Sequence, residues 1–312
     1  MRIVFMGTPE FAVPVLESLL IDHYEVAAVY TQPDAVSGRG RSLAASPVKR
    51  LALEWGLPVV QPSTLKEAEA VARLVAFQPE VIVVAAFGQI LPQSVLDIPP
   101  HGCVNIHPSL LPKHRGASPV AASILAGDEF TGTSVMLMDR GMDTGTVLAQ
   151  ARIPILAQDT TGSLAAKLAL VSASLLLDVL PRWMKKEISP RQQNEAEATY
   201  TKVFTKEDGE IDWRLPAVEL GRRVRAFSPW PGTYTRWQGK QLKIIEAAPV
   251  PGEKTAETGR VVALDKGGVA VGVTTGDGIL GLKQLQLEGK RALSAAEFIR
   301  GQRQFIGAVL PS

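Results

Sequence analysis

Apolar residues in the first half of the chain fall into short runs separated by polar turns. "RIVFM" (2–6), "EVAAVYT" (25–31), "LPVVQ" (57–61), "EVIVVAA" (80–86), "CVNIH" (103–107) and "TSVMLM" (133–138) are brief and rich in β-branched residues. Runs of this length and composition read as strands. Between them, residues 10–21, 46–55, 65–77 and 117–126 carry apolar positions at helical spacing, and Ser46 followed by Pro47 makes an N-cap and first-turn pair. Strand and helix alternate, which predicts an α/β fold: a doubly wound, mostly parallel sheet with helices on both faces. Ligands of such sheets sit beyond the carboxyl ends of the strands.

The pattern then changes. Residues 161–184, "TGSLAAKLALVSASLLLDVLPRWM", predict one long helix, and a polar stretch, "KKEISPRQQNEAEATYTK", follows it. After a helical segment at 215–227 come short strands split by Gly and Pro turns, the spacing of a small β-barrel. The expected organisation is a first domain over 1–189, a linker over 190–206 and a second domain over 207–312.

With 312 residues and 46% hydrophobic content, the chain can bury substantial cores, in about two domains. Its most apolar runs, such as "VIVVAAF" (81–87), fall short of the roughly 18 residues of a membrane span, and no secretory pattern opens the sequence. A cytoplasmic protein is expected. Cys103 is the only cysteine, which excludes an internal disulfide and a multi-thiolate zinc site, and four histidines offer little else for metals. Net charge is +2, unevenly spread. Residues 201–312 hold 17 Lys or Arg against 12 Asp or Glu, a net +5, while residues 1–200 hold 16 against 19, a net −3. A basic second module suits a polyanionic partner, although charge alone describes an ordinary solvated surface equally well.

Chemistry should lie in the strand-ending loops. "GTPEFAVP" (7–14) lacks the glycine spacing of either the dinucleotide or the P-loop phosphate cradle, so Gly7 is read as a turn residue. The stretch "TQPDAVSGRGRSLAASPVK" (31–49) is too long for an ordinary connection. Its Arg39, set between Gly38 and Gly40, with Arg41 and Lys49, suits phosphate contact, the alternative being a solvated loop.

In "VNIHPSLLP" (104–112) an extended chain puts Asn105 and His107 on one face, and Pro108 ends the ladder just after them. The next strand leads into "MDRGMDTG" (138–145), and in a parallel sheet both endings share an edge. An aspartate from that loop, Asp139 or Asp143, would favour the charged imidazole and raise its pKa. An amide N–H and an imidazolium N–H side by side can stabilise an oxyanion, which fits acyl transfer without a metal. Two alternatives stand beside this. His107 could be a hydrogen-bonded core residue. Cys103 could be a thiol nucleophile, but four residues of strand place it about 13 Å from His107, which favours a structural cysteine.

"NIHPSLLPKHRGASP" with "DRGMDTG" resembles the family of 10-formyltetrahydrofolate-dependent formyltransferases, and "FMGTPEFAVPVLESLL", "FGQILP" and "RVRAFSPWPGTYT" extend the similarity to its methionyl-tRNA branch over nearly the whole chain. The resemblance implies a Rossmann-like catalytic domain and an OB-fold-like C-terminal domain that binds tRNA. It implies formyl transfer to the α-amino group of methionine on initiator tRNA, for translation initiation, by direct amine attack in a monomer. Catalysis would fall to Asn105, His107 and Asp143. Folate would bind along Ser109, Leu110, Leu111 and Pro112 and against the turn bearing Phe87, Gly88, Ile90 and Leu91. Arg39, Arg41 and Lys49 would contact tRNA. The chain departs from the family wording at "AVS" (35–37), Phe87 and His114. Relatives that formylate glycinamide ribonucleotide lack the second domain, and those that formylate amino sugar nucleotides lack the "GRG…SPVK" insertion. A non-catalytic RNA-binding protein on the same scaffold is the alternative from another class.

Overall fold

The computed structural model describes residues 1–312 except 38–41, 251–256 and 267–268, and except the side chains of 36, 37, 42, 265 and 266. Two compact units emerge. Met1–Pro119, Phe130–Pro154 and Ala165–Thr201 form the first, and Val120–Glu129, Ile155–Leu164 and Lys202–Ser312 form the second.

Seven strands build the sheet of the first unit: β1 (Arg2–Gly7), β2 (Glu25–Tyr30), β3 (Val59–Val60), β4 (Val81–Ala85), β5 (Cys103–His107), β6 (Phe130–Leu137) and β7 (Val147–Pro154). Their order is β7-β6-β5-β4-β1-β2-β3. The five strands from β5 to β3 are parallel. The last two are not: β6 runs antiparallel to β5, and β7 antiparallel to β6. Chain order reverses direction at β1 and β4, so the loops leaving these strands flank the switch point where such sheets bind ligands.

Period-two alternation sorts the strand residues cleanly. Ile3, Phe5, Val81, Val83, Val104 and Ile106 join one core with Val15, Leu16 and Leu19 of α1 (Val13–Ile21) and Val48 of α2 (Pro47–Glu54). Val4, Met6, Ile82, Val84 and Cys103 join the core on the other face with Leu74 of α3 (Ala68–Ala76) and Val95 of α4 (Gln93–Leu96). Each large side chain so buried stabilises the fold by about 1.5–3 kcal/mol before entropy is charged against it. Ser46 caps α2 as its sequence suggests, accepting from the Lys49 N–H at 3.0 Å.

The chain continues through α5 (Pro119–Ala126) and α6 (Thr161–Met184). Contrary to the expectation from apolar run length, α6 is long and apolar enough to cross a membrane, with a mean hydropathy of 1.8. Its Leu176, Val179 and Leu180 lie in the core of the first unit. The polar stretch expected as a linker divides between the units. Residues 190–201 belong to the first, where Tyr200–Thr201 pair in parallel with Arg115–Gly116, and Lys202 opens the second.

In the second unit six strands form an antiparallel sheet: β8 (Thr233–Trp237), β9 (Lys240–Val250), β10 (Val261–Lys266), β11 (Val269–Thr274), β12 (Ile279–Leu287) and β13 (Leu293–Ser294). The order is β8-β9-β12-β11-β10, with β13 on β12. Residues 307–312 bond at both ends of this order: Gly307 and Ala308 to Val261, Leu310 to Gly259, and Ser312 to Arg236 and Gly239. Leu220 and Val224 of α7 (Ala217–Ala226) and Phe298 of α8 (Ala295–Gly301) fill the core, where Trp237, Phe298 and Phe305 stack edge to face at 5.1–5.7 Å.

Candidate active site

β5 stops at His107 because Pro108 has no N–H to extend the ladder. The chain turns at once, and Ser109 N–H bonds back to the His107 carbonyl at 2.9 Å. Ser134 of β6, paired with His107 across the strands, fixes the loop that follows. Its hydroxyl donates to the Ser109 carbonyl (2.7 Å) and accepts from Leu111 N–H (3.1 Å) and Gln150 Nε2 (2.8 Å). Gln150 also donates to the Leu111 carbonyl at 2.9 Å.

His107 is 4% exposed and Asn105 9%. The imidazole Nε2 donates to the His114 carbonyl at 3.0 Å, and Nδ1 lies 3.5 Å from Asp143 Oδ2. That same oxygen accepts the Gly116 N–H at 2.8 Å. Asn105, on the same strand face, has no hydrogen-bond partner for its amide among the described residues. His107 and Asp143 therefore meet, and Asn105 stands two residues back on the same strand face.

Asp143 arrives by a different route from the one its sequence context suggests. Because β6 is antiparallel, Leu137 at its end pairs with Val104 and not with His107, so the two strand endings do not share an edge. The loop joining β6 to β7 brings the carboxylate back. Asp139 instead organises the first half of that loop, accepting from Gly141 N–H (3.0 Å) and Thr144 Oγ1 (2.6 Å). Asp143 and His114 are both left-handed, at φ 54° and 58°, and Ala86 in the loop after β4 is at 47°. Such positions cost about 1 kcal/mol or more each and persist only where the surroundings impose them.

The His107 pKa is also opposite in direction to expectation. Burial is the largest influence and holds it below its ordinary 6.5, while the Asp143 carboxylate and the His114 carbonyl push back. A carbonyl cannot donate, so the neutral ring keeps its proton on Nε2 and turns the Nδ1 lone pair toward a carboxylate. Nδ1 and Asp143 are thus arranged to share one further proton.

One segment absent from the sequence reading completes the site. The Arg115 side chain is 0% exposed, yet all five of its N–H groups are used. They reach Gln193 Oε1 (3.1 and 2.9 Å), both Glu195 oxygens (2.9 and 2.6 Å) and Tyr200 Oη (3.0 Å). Gln193 in turn donates to the carbonyls of Asp143 (2.8 Å) and Gly145 (2.7 Å).

Residues 1–180 match the sequence family described as formyl transferase, and residues 204–303 match the formyl transferase C-terminal domain. A methionyl-tRNA formyltransferase of Dehalococcoides mccartyi is 51% identical over 99% of this chain and 98% of its own length. One from Chloroflexus aggregans is 46% identical over 96% of this chain and 97% of its own. The chain belongs to the methionyl-tRNA formyltransferase family. Among solved structures, HypX from Aquifex aeolicus in complex with tetrahydrofolic acid shares the fold, with a TM-score of 0.65 at 19% identity over 96% of this chain and 47% of that one.

The remaining residues expected in this formyltransferase divide into two groups. Ser109 is fully buried, with its hydroxyl donating to the Lys113 carbonyl at 2.6 Å, and Leu111 packs on Met136 and Val147. Leu110 lies against Gly132, where a Cβ would stand 2.5 Å from it. Pro112 joins Leu111 through a cis peptide. Ile90 is 82% exposed, whereas Leu91 and Phe87 are core residues, and the Phe87 carbonyl already accepts from Thr8 Oγ1 (2.9 Å) and Gln32 Nε2 (3.2 Å). Gly88 follows at φ +87°, beyond the reach of most other residues. Arg39 and Arg41 lie outside the described residues. Lys49 is engaged within the protein, its ammonium donating to Asp34 (2.9 and 2.7 Å) and Gln61 (2.8 Å). Cys103 packs in the core, and burial pushes its thiol up to about 12. A cavity of about 600 Å³, lined in part by Val218, Arg222, Arg225, Pro249 and Lys283, belongs to the second unit and includes none of the catalytic candidates.

No sequence motif marks Ser134, Gln150, Arg115 or Gln193 as a site residue. A serine inside the apolar run "TSVMLM" was the one available signal; nothing in the polar run around Gln193 sets it apart.

Proposed function

We propose that this chain transfers the formyl group of 10-formyltetrahydrofolate to the α-amino group of methionine on initiator tRNA, as a cytoplasmic monomer, with no metal and no covalent enzyme intermediate. The observation that carries the reading is the unpartnered Asn105 amide beside a His107 whose Nδ1 is 3.5 Å from Asp143. The folate would be held along Ser109–Pro112 and over the turn at 87–91. Exposed Ile90 supplies an apolar surface for a flat ring, and the free Asn105 amide suits its formyl oxygen.

Asn105 donates Nδ2–H to the formyl oxygen as the amine nitrogen bonds to the formyl carbon and negative charge develops. His107 Nε2–H, held by a neutral carbonyl in the free protein, exchanges that acceptor for the charged oxygen, a stronger partner. Asp143, with His107, takes the proton lost by the amine and returns it to N10 as the carbon–N10 bond breaks. Residues 1–189 would form the catalytic domain, 190–206 the connection and 207–312 the tRNA-binding domain, with Arg39 and Arg41 reaching the same substrate. The basic α7, with Arg222 and Arg225 on one cavity, supports the second assignment.

The test is to incubate the protein with 10-formyltetrahydrofolate and either methionyl-tRNA, glycinamide ribonucleotide or an amino sugar nucleotide. Formylation of methionyl-tRNA alone is expected, and its loss in Asn105→Ala, His107→Ala and Asp143→Asn. Unchanged formylation in all three variants removes the catalytic assignment.

A further inference from the structure

We infer that Arg115 and Gln193 are positioning residues of the formyl-transfer site, which hold the Asp143 carboxylate in register with His107 by clamping the backbone of its loop. The inference rests on the roles given above to Asp143 and His107.

The loop that carries Asp143 has glycines at 141 and 145 and little packing of its own. Its first half is tied internally by Asp139. The second half, Asp143 to Gly145, is tied from outside by Gln193, which spends both amide hydrogens on the carbonyls of Asp143 and Gly145. The orientation of that amide is not arbitrary. A guanidinium only donates, so the oxygen of Gln193 must face Arg115 and its NH₂ must face the loop. Arg115 therefore dictates which end of Gln193 the loop receives.

Arg115 also acts through its chain neighbours. His114 supplies the carbonyl that accepts from His107, and Gly116 supplies the N–H on Asp143. Arg115 is the residue between them, pinned by its N–H to the Thr199 carbonyl (2.8 Å) and by its carbonyl from Thr201 Oγ1 (3.2 Å). The Asp143 carboxylate is thus set from one side by Gly116 and its backbone from the other by Gln193, with a single buried guanidinium between the two. A 1 Å misplacement at a reacting group can cost about 100-fold in rate, so this bracing bears on turnover and not only on folding.

Gln193→Glu separates the roles. A carboxylate keeps the bonds to Arg115 but sets an oxygen, in place of two N–H donors, against two carbonyls. Gln193 is only half-buried, so the variant is expected to fold. The expected result is a fall in kcat of about 10–100-fold with KM for the folate and for methionyl-tRNA within about 2-fold. The pH profile of kcat should also shift relative to wild type, because the Nδ1–carboxylate contact sets how that pair shares its proton. Should Gln193→Glu fold poorly, Gln193→Met is measured in its place. In that variant the ¹⁵N resonances of the His107 ring, recorded on folded protein, should move. A folded Gln193→Glu with wild-type kcat and pH profile, or a Gln193→Met with unchanged His107 resonances, overturns the inference. Asp143→Asn run in parallel keeps the two readings apart: if it is inactive while Gln193→Glu is normal, only the clamp falls, and if it is fully active, the assigned chemistry falls and the clamp with it.

Discussion

Gly116 places its backbone N–H 2.8 Å from Asp143 Oδ2, the same oxygen that faces His107 Nδ1. One backbone group thus aims the carboxylate at the imidazole. The conformation that does so, φ +107°, lies outside the comfortable range of any residue with a side chain. A Cβ there would also stand 2.6 Å from the Thr201 carbonyl. Gly116→Ala is therefore expected to displace the N–H and lower kcat by about 10-fold or more, with a smaller effect on folate binding. Steady-state kinetics on folded protein checks this; a variant with wild-type kcat would separate the Gly116 contact from turnover.

Truncating Asn105 breaks no side-chain hydrogen bond among the described residues. Asn105→Ala should keep the wild-type melting temperature within about 2 °C while turnover drops by about 100–1000-fold, the cost of one oxyanion donor. Calorimetry and single-turnover kinetics give the two numbers independently.

Cys103 bonds weakly to the Val95 carbonyl at 3.9 Å and sits in the core. With its thiol at about 12, almost no thiolate exists at neutral pH. Cys103→Ala is expected to retain turnover and lose about 1 kcal/mol of stability. Inactivation of the folded variant would restore the thiol-nucleophile alternative.

Hydrogen bonds from Arg115 hold the Glu195 carboxyl below its ordinary 4.5, against a smaller upward push from desolvation. Between the folded pKa and 4.5 the unfolded chain binds more protons, so stability falls as pH falls through that window and is fully present above it. Glu195→Gln should flatten this part of the melting-temperature curve, and the two proteins should differ less at pH 3 than at pH 6. Parallel curves would show that the pair contributes no pH dependence.

Lys49 is committed to Asp34 and Gln61, with the carboxyl of Asp34 held low chiefly by the Lys49 hydrogen bond. Lys49→Ala is expected to lower the melting temperature by about 2–4 °C and to leave KM for methionyl-tRNA unchanged. A raised KM whose size depends on salt would return Lys49 to the RNA surface.

Local pattern made most of the first unit legible. Alternation in "RIVFM" and "VIVV" assigned each side chain to its core, and Asn105 and His107 were placed on one face by period alone. The direction of β6 was not legible, because a strand's sequence reports which faces are buried and not which way its neighbour runs. Hence Asp143 comes within 3.5 Å of His107 Nδ1 by a loop that turns back from an antiparallel strand, and not along a shared parallel edge. The direction of the His107 pKa is hidden in the sequence because the charge beside it is readable in a motif whereas the burial around it is not. The strap from Gln193 to Thr201 was hidden for a similar reason: polar residues that satisfy one buried guanidinium look the same in sequence as residues that face water. Its partner, Arg115, stood in plain view inside "KHRG" with nothing to say that it would be buried.

The final six residues of the chain act as a seam for the antiparallel module, bonded to β10 on one side and to β8 on the other. Outer strands with open backbone groups invite a strand from a neighbouring molecule. Here an incoming strand would first have to peel away residues 307–312, and with them Leu310 from the core, so the segment guards a sheet of this shape against runaway association.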